Sequence, residues 1–204
     1  YNLGVMYFEG RGVAKDPAEA ARWYKKSAEQ GYGLALYNLG VMYERGSGVP
    51  QDQAQAFQWY QKAAEKGVAR AQYVLGVMFR HGVGVPKSDE ESIQWFRKAA
   101  DQGDADAQNH LASMLAGGNA AAKDYAEALR LFKLAAAQNH AGAQNKLGLM
   151  YEKGLGVSKD YGQAIVWYRK SAEQGHPGAQ SNLGYLYEKG LGVKRNQTDA
   201  EKWY

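Results

Sequence analysis

The stretch LGVMYERGSGV, from Leu39 to Val49, decides the fold because near copies of it recur along the 204-residue chain. All five tryptophans share one phase of a 36-residue period, and all five methionines share another. Self-similarity at such a period is the signature of a repeat architecture. The chain is therefore an array of six units, of which the first and last are incomplete. The other clear copies are LGVMYFEGRGV (3–13), LGVMFRHGVGV (75–85), LGLMYEKGLGV (147–157) and LGYLYEKGLGV (183–193).

Each unit has the apolar spacing of two amphipathic helices. In the second repeat, Leu39 and Met42 fall on one face of the first helix, and Trp59 and Tyr60 fall on one face of the second helix. We predict that the tryptophan and methionine columns form the core. The second helix is preceded in every unit by a residue that favours the N-cap position, namely Asp16, Asp52, Ser88, Asp124, Asp160 and Asn196. It is followed by residues that tolerate left-handed angles, namely Gly31, Gly67, Gly103, Asn139 and Gly175.

Gly40 lies inside the predicted first helix, where glycine costs about 0.5 to 1 kcal/mol relative to alanine. Its recurrence in the motif indicates close approach of the second helix, where Trp59 and Tyr60 need room. Because the fourth repeat carries Ala112 at this position, we expect the fold to tolerate Gly40→Ala but not Gly40→Leu.

A unit of 36 residues is too short to fold alone, so each helix pair must bury its apolar side against the next. The sequence thus predicts an all-α fold, a right-handed α/α solenoid of about six helix-turn-helix repeats forming one domain over residues 1–204. The fourth repeat is degenerate, with LASMLAGGNAA (111–121) in the motif and Leu131 in place of Trp. Its segment 116–123 is either a hinge or a product of sequence drift. The predicted repeat phases are 1–36, 37–72, 73–108, 109–144, 145–180 and 181–204. The apolar column predicted to lie between successive units is Ala21, Phe57, Ile93, Leu129 and Ile165.

The composition argues against several functions. The net charge of +4, from 25 basic and 21 acidic residues, is too balanced to indicate nucleic acid as a partner. No apolar run is long enough for a membrane span, so we expect no membrane insertion. Cysteine is absent, and none of the four histidines lies in a short metal-binding motif. We therefore expect no metal site, no cofactor and no catalysis. His140 and His176 follow helix ends, where a basic residue simply favours the preceding helix terminus.

The motif LGxMYxxGxGV, joined to D-x-x-x-A-x-x-W-Y/F-x-K, resembles the Sel1-like repeat family, a relative of the tetratricopeptide repeats. The period and the G-x-G-V loop distinguish it from tetratricopeptide units of 34 residues. The resemblance implies an adaptor that binds protein partners, and it favours a bacterial envelope, periplasmic or secreted location, although no signal peptide is visible. One cysteine-rich branch binds β-lactams, so a hydrolase or β-lactam-like binding protein is the alternative. An RNA-reading helical array is a third hypothesis.

The first helices are expected to line a concave groove that holds a protein or peptide. Tyrosine there offers a large apolar area with a hydroxyl group, and an amide such as Asn38 suits the backbone of an extended peptide. The tyrosine column also has a purely structural interpretation, in which the rings pack along the solenoid. The sequence leaves the oligomeric state open. The predicted groove residues are Tyr37, Tyr73, Asn38, Val41, Val77, Glu44, Arg45, Arg70, Arg80, Asn109 and Asn145.

Overall fold

The computed structural model describes residues 1–118 and 123–204. These two ranges hold twelve α-helices and no strand, which confirms the predicted all-α repeat of two helices. The first helices of the six repeats are α1 (Asn2–Glu9), α3 (Gly33–Arg45), α5 (Ala69–His81), α7 (Ala105–Gly117), α9 (Ala141–Lys153) and α11 (Pro177–Lys189). The second helices are α2 (Pro17–Glu29), α4 (Gln53–Glu65), α6 (Asp89–Asp101), α8 (Tyr125–Ala137), α10 (Tyr161–Glu173) and α12 (Gln197–Trp203).

All six predicted N-caps of the second helices are confirmed. In α4 the Asp52 carboxylate accepts a hydrogen bond from the Gln55 backbone N–H at 2.9 Å, which satisfies one of the free donors of the first turn. The Asp52 backbone N–H donates to the Tyr43 carbonyl at 2.9 Å, so the same residue fastens the loop to the first helix. The matching carbonyls of the other repeats receive the same bond, at Tyr7, Phe79, Leu115, Tyr151 and Tyr187.

The predicted helix ends are also confirmed. Gly67, which follows the end of α4, has a φ of 81°, in the left-handed region that glycine adopts without steric cost. Asn139 follows α8 with a φ of 63° and is the one non-glycine residue of positive φ in the described ranges. Asparagine tolerates this conformation better than other side chains, which explains its place in a glycine column.

The helices form two compact units, Tyr1–Gln102 with α1 to α6 and Gly103–Tyr204 with α7 to α12. Residues 119–122, in the middle of the segment considered as a hinge, lie outside the described residues. The hinge therefore stays a hypothesis.

The core contains most of the methionine column but not the tryptophan column. Met42, Met78, Met114 and Met150 are buried as predicted, whereas Met6 is 38% exposed. The tryptophan side chains are only half-buried, and Trp59, Trp95 and Trp203 pack against the core from its edge, so their assignment to the core holds only in part. The position after each tryptophan, and after Leu131 in the fourth repeat, carries a ring that is almost completely buried in the first five repeats and occupies the centre of the core. In four repeats a lysine three residues after the tryptophan lies over its ring at 4.0 to 4.6 Å, in the pairs Lys26–Trp23, Lys62–Trp59, Lys98–Trp95 and Lys170–Trp167.

The glycine inside the first helix makes room for that buried ring. A Cβ atom on Gly40 would lie 2.6 Å from the Tyr60 ring, and one on Gly148 would lie 2.6 Å from the Tyr168 ring. The predicted close approach is thus present, but Tyr60 makes it and Trp59 does not. A single methyl group already overlaps a ring fixed in the core, which contradicts the expectation that Gly40→Ala is tolerated.

Successive repeats are joined by buried glutamines that the sequence analysis missed. The Gln72 side chain of α5 donates to the Ala64 carbonyl of the preceding repeat at 3.1 Å and accepts from Gln102 at 2.7 Å. In the second unit, Gln144 donates to the Ala136 carbonyl at 3.3 Å and accepts from Gln174 at 2.7 Å. Each glutamine therefore satisfies a carbonyl at the end of one second helix and fixes the side chain that ends the next.

The predicted apolar column also contributes to stacking. Phe57 of α4 packs against Phe79 of the next repeat, with ring centroids 5.5 Å apart and an edge-to-face arrangement. Ile165 in α10 is 8% exposed. Ala21 at the matching position is the smallest member of this column.

Candidate functional site

A cavity of about 290 Å³ opens between the first helices of repeats one and two. We call it the first-helix pocket. Helices α1 and α3 supply its walls, and the buried Tyr24 of α2 contributes to its lining from behind. Its lining residues are Tyr1, Val5, Phe8, Glu9, Tyr24, Asn38, Val41, Met42 and Arg45.

The first-helix pocket combines aliphatic and aromatic side chains with polar groups and is charged at its edge. Val5 and Val41 are half-buried, while Glu9 and Arg45 are exposed. Burial raises the pKa of Tyr24 to about 12, and a hydrogen bond with the Asn38 side chain partly opposes this rise. The phenol therefore stays neutral at physiological pH.

Three of the predicted groove residues, Asn38, Val41 and Arg45, meet in this pocket. They lie on one face of α3 at spacings of three and four, which is the helical periodicity used to predict them. The remaining predicted residues lie elsewhere, and the structure gives several of them structural contacts.

Tyr37 and Tyr73 pack mainly inside their own repeats. The Tyr37 ring lies 5.7 Å from the Tyr60 ring, and the Tyr73 ring lies 5.8 Å from the Phe96 ring. Both tyrosines are half-buried. These contacts agree with a structural role for the tyrosine column. Each ring, however, packs against the second helix of the same repeat and not along the solenoid.

Glu44, one of the predicted groove residues, is half-buried, and a hydrogen bond within its own repeat holds its side chain. Its carboxylate accepts from the Tyr60 hydroxyl at 2.6 Å. The same pair recurs as Tyr168 with Glu152 at 2.7 Å, and Glu152 is buried with 8% exposure. Burial and then the hydrogen bond to the carboxylate raise the pKa of both phenols well above the ordinary value. This pair was not predicted from the sequence.

Arg70, Val77 and Arg80 contribute to the surface of α5. The Arg70 guanidinium lies 4.5 Å above the centre of the Tyr73 ring. Val77 and Arg80 are half-buried. The Nη1 atom of Arg80 is enclosed and lacks a hydrogen-bond partner within the part of the chain that the structure describes.

In the second unit, the predicted Asn145 side chain accepts a hydrogen bond from Asn182 at 3.1 Å. Asn109 is half-buried, and its Oδ1 atom has no hydrogen-bond partner among residues 1–118 and 123–204. A cavity of about 250 Å³ lies between α7 and α9, at the place that matches the first-helix pocket. Ser113 and Leu149 line it where Val5 and Val41 line the pocket of the first unit, and Lys146 replaces Asn38.

The two histidines of interest are N-caps of first helices, which corrects their assignment to the preceding helix end. His140 Nδ1 accepts from the Ala143 backbone N–H at 3.0 Å, and His176 Nδ1 accepts from Ala179 at 3.2 Å. With Nδ1 as acceptor, the His140 proton is on Nε2, which faces Asp106 Oδ1 at 3.2 Å. No group of three or more His, Cys, Asp or Glu side chains that could hold a metal occurs in the described residues.

In the ranges that the structure covers, none of the helices has both the length and the apolar character of a membrane span.

Among curated proteins, none matches the chain. Solved structures do. The protective antigen c5321 of uropathogenic Escherichia coli, described as displaying an SLR fold, is 38% identical with a TM-score of 0.93. The match covers 100% of this chain but 44% of the antigen.

Two further solved structures are similar. A Sel1 repeat protein from Oxalobacter formigenes is 34% identical with a TM-score of 0.87, covering 99% of this chain and 81% of that protein. The immunity protein Pa5087 of Pseudomonas aeruginosa is 27% identical with a TM-score of 0.56, covering 100% and 75%. The Sel1 repeat profile matches residues 1–32, 33–68, 69–104, 105–140, 141–176 and 177–204. The chain thus belongs to the Sel1 repeat family.

Proposed function

We propose that the chain is a protein-interaction scaffold that binds an extended peptide segment of a partner across its first helices. The observation that carries this proposal is the first-helix pocket, where Asn38, Val41 and Arg45 meet around a cavity. Sel1 repeat proteins are generally scaffolds for protein–protein interactions, which supports this class of function.

The size and lining of the pocket suit one apolar side chain of the peptide. A volume of about 290 Å³ is at the lower end for small-molecule sites, and the inner surface includes aliphatic and aromatic side chains. Glu9 and Arg45 at the edge carry opposite charges, so peptide side chains of either sign find a complementary group. Asn38 offers an amide beside the cavity for the peptide backbone.

The matching cavity of the second unit differs in charge. Lys146 takes the place of Asn38, and Ala116 and Gly117 take the places of Phe8 and Glu9. We expect the second unit to prefer an acidic residue next to its apolar anchor, because the described residues that line the cavity include Lys146 and no acidic residue.

A peptide display selection tests the proposal. Random linear peptides, displayed inside a carrier protein so that they have no free terminus, are selected on the chain, and the affinities of the enriched sequences are measured. Val41→Tyr should block binding, because it fills the pocket with a residue that α11 already carries at the equivalent position, Tyr185. The matched control is Val166→Tyr at a 45% exposed valine of α10. Equal binding by both variants would contradict the proposal.

A further inference from the structure

A second cavity, of about 240 Å³, opens on the side of the second helices. We call it the second-helix pocket. It lies between α2 and α4 and is closed at one end by the loop after α3, where a Cβ on Gly48 would overlap the Pro17 backbone. Its inner surface includes Ala21, Leu39 and Trp59.

This cavity exists because Ala21 is small. The matching residues in the next four repeats are Phe57, Ile93, Leu129 and Ile165. Phe57 fills the equivalent space by packing on Phe79, and Ile165 is buried. The space left by Ala21 therefore has room for a Phe, Leu or Ile side chain of a ligand.

Two cations and a phenol surround the opening. Arg22 is paired with Glu19 at 3.0 Å, whereas Lys25 has no ion pair in the described residues. In the fifth repeat, Arg169 at the position of Lys25 is bonded to the Tyr187 hydroxyl at 2.6 Å. Tyr43 is the counterpart of Tyr187 and also lines the second-helix pocket. Lys25 and Tyr43 thus remain available for an anion.

We propose that the second-helix pocket binds the C-terminal residue of a partner protein. An apolar side chain enters the space beside Ala21, and the terminal carboxylate pairs with the Lys25 ammonium and accepts from the Tyr43 hydroxyl. A C-terminal Phe, Leu or Ile carries both groups on one Cα, so it reaches the cavity and its cationic edge together. This site is separate from the first-helix pocket and does not depend on the function proposed there.

Calorimetric titration with two synthetic peptides tests this site on the whole chain. The probes are N-acetylated Gly-Ser-Gly-Ser-Gly-Phe with a free C-terminal carboxylate and the same peptide with a C-terminal amide. We expect the acid to bind and the amide to bind about two- to fivefold more weakly at low salt, because one exposed ion pair is lost. Ala21→Ile should weaken the acid about tenfold or more by filling the cavity.

The controls distinguish this site from the other. Lys25→Gln should weaken the acid about two- to fivefold, whereas Lys26→Gln, at the lysine above Trp23, should not. Val41→Tyr should leave acid binding unchanged. The proposal is overturned by no binding of the acid, by equal binding of acid and amide, or by unchanged binding to Ala21→Ile and Lys25→Gln. Self-association that Ala21→Ile abolishes, seen by sedimentation, would overturn it in favour of a second copy of this chain.

Discussion

The Tyr60 hydroxyl of α4 donates to the Glu44 carboxylate of α3 at 2.6 Å, so a hydrogen bond to a charged group joins the two helices of the second repeat. The same pair occurs in the fifth and sixth repeats. Tyr168 and Tyr204 are likewise bonded to Glu152 and Glu188. Where Arg80 in the third repeat and Ala116 in the fourth replace the acidic residue, the ring residue is Phe96 or Phe132, whereas the first repeat has Phe8 at this position and keeps Tyr24.

Tyr60→Phe should lower the free energy of unfolding by about 1.5 to 3 kcal/mol, because it leaves a half-buried carboxylate without its donor. Urea unfolding measures the change. The double variant with Glu44→Ala reproduces the Phe and Ala pair of the fourth repeat, and its cost should be smaller than the sum of the two single costs. Additive costs would mean that the two side chains are not coupled.

The buried phenols predict a loss of stability in alkali. Their pKa values are raised in the folded state, for Tyr24 to about 12, from an ordinary value of 10.0. The unfolded chain therefore loses these phenol protons at a lower pH than the folded chain does. The contribution of the phenols to the free energy of unfolding is constant below pH 10 and falls as the pH rises above 10. Melting temperatures measured across this range should fall less steeply for Tyr168→Phe than for the wild type. Identical slopes would count against the shifted phenols.

Gly40→Ala should destabilise the chain by about 1 to 3 kcal/mol, because its Cβ would overlap the Tyr60 ring at 2.6 Å. The same change at Gly162, a helical glycine whose Cβ would meet only the Asp160 carboxylate, at 3.2 Å, should cost less than the change at Gly40. Thermal unfolding of both variants compares the two sites. An unaltered melting temperature for Gly40→Ala would refute the packing account.

Gln144→Ala should cost about 1 to 3 kcal/mol, because it removes the donor to the Ala136 carbonyl and leaves a cavity between repeats. Gln144→Leu should cost less, since Leu36 occupies the equivalent buried position in the second repeat. Chemical unfolding gives both values. Gln58→Ala, at an exposed position of α4, is the control and should change little.

The repeat period, the two helices and the helix ends could be predicted because each depends on local spacing and on residues such as Asp52 and Gly67. The identity of the core ring could not. Trp59 and Tyr60 are adjacent, and a rotation of α4 by one residue decides which of them is buried. The bond from Tyr60 to Glu44 joins residues of two helices, so it was visible only as the joint presence of Tyr and Glu across repeats.

The candidate site was predicted in part for a similar reason. Asn38, Val41 and Arg45 share a helix face, so their meeting follows from helical spacing. Tyr37 shares much of that face, but its ring turns onto Tyr60, which no spacing rule indicates. Replacing Tyr37 and Tyr73 by alanine would therefore disturb packing together with any binding, and Val41→Tyr is the cleaner substitution.

The central claim is that a partner peptide lies on the first helices of repeats one and two, and photo-crosslinking tests it most directly. A benzoylphenylalanine replaces Arg45 at the edge of the first-helix pocket, or Arg130 on the exposed surface of α8 as the control. After irradiation with a peptide selected on the wild-type chain, the account predicts a crosslink from position 45 and none from position 130. Crosslinking from position 130 alone, or equally from both, would contradict it.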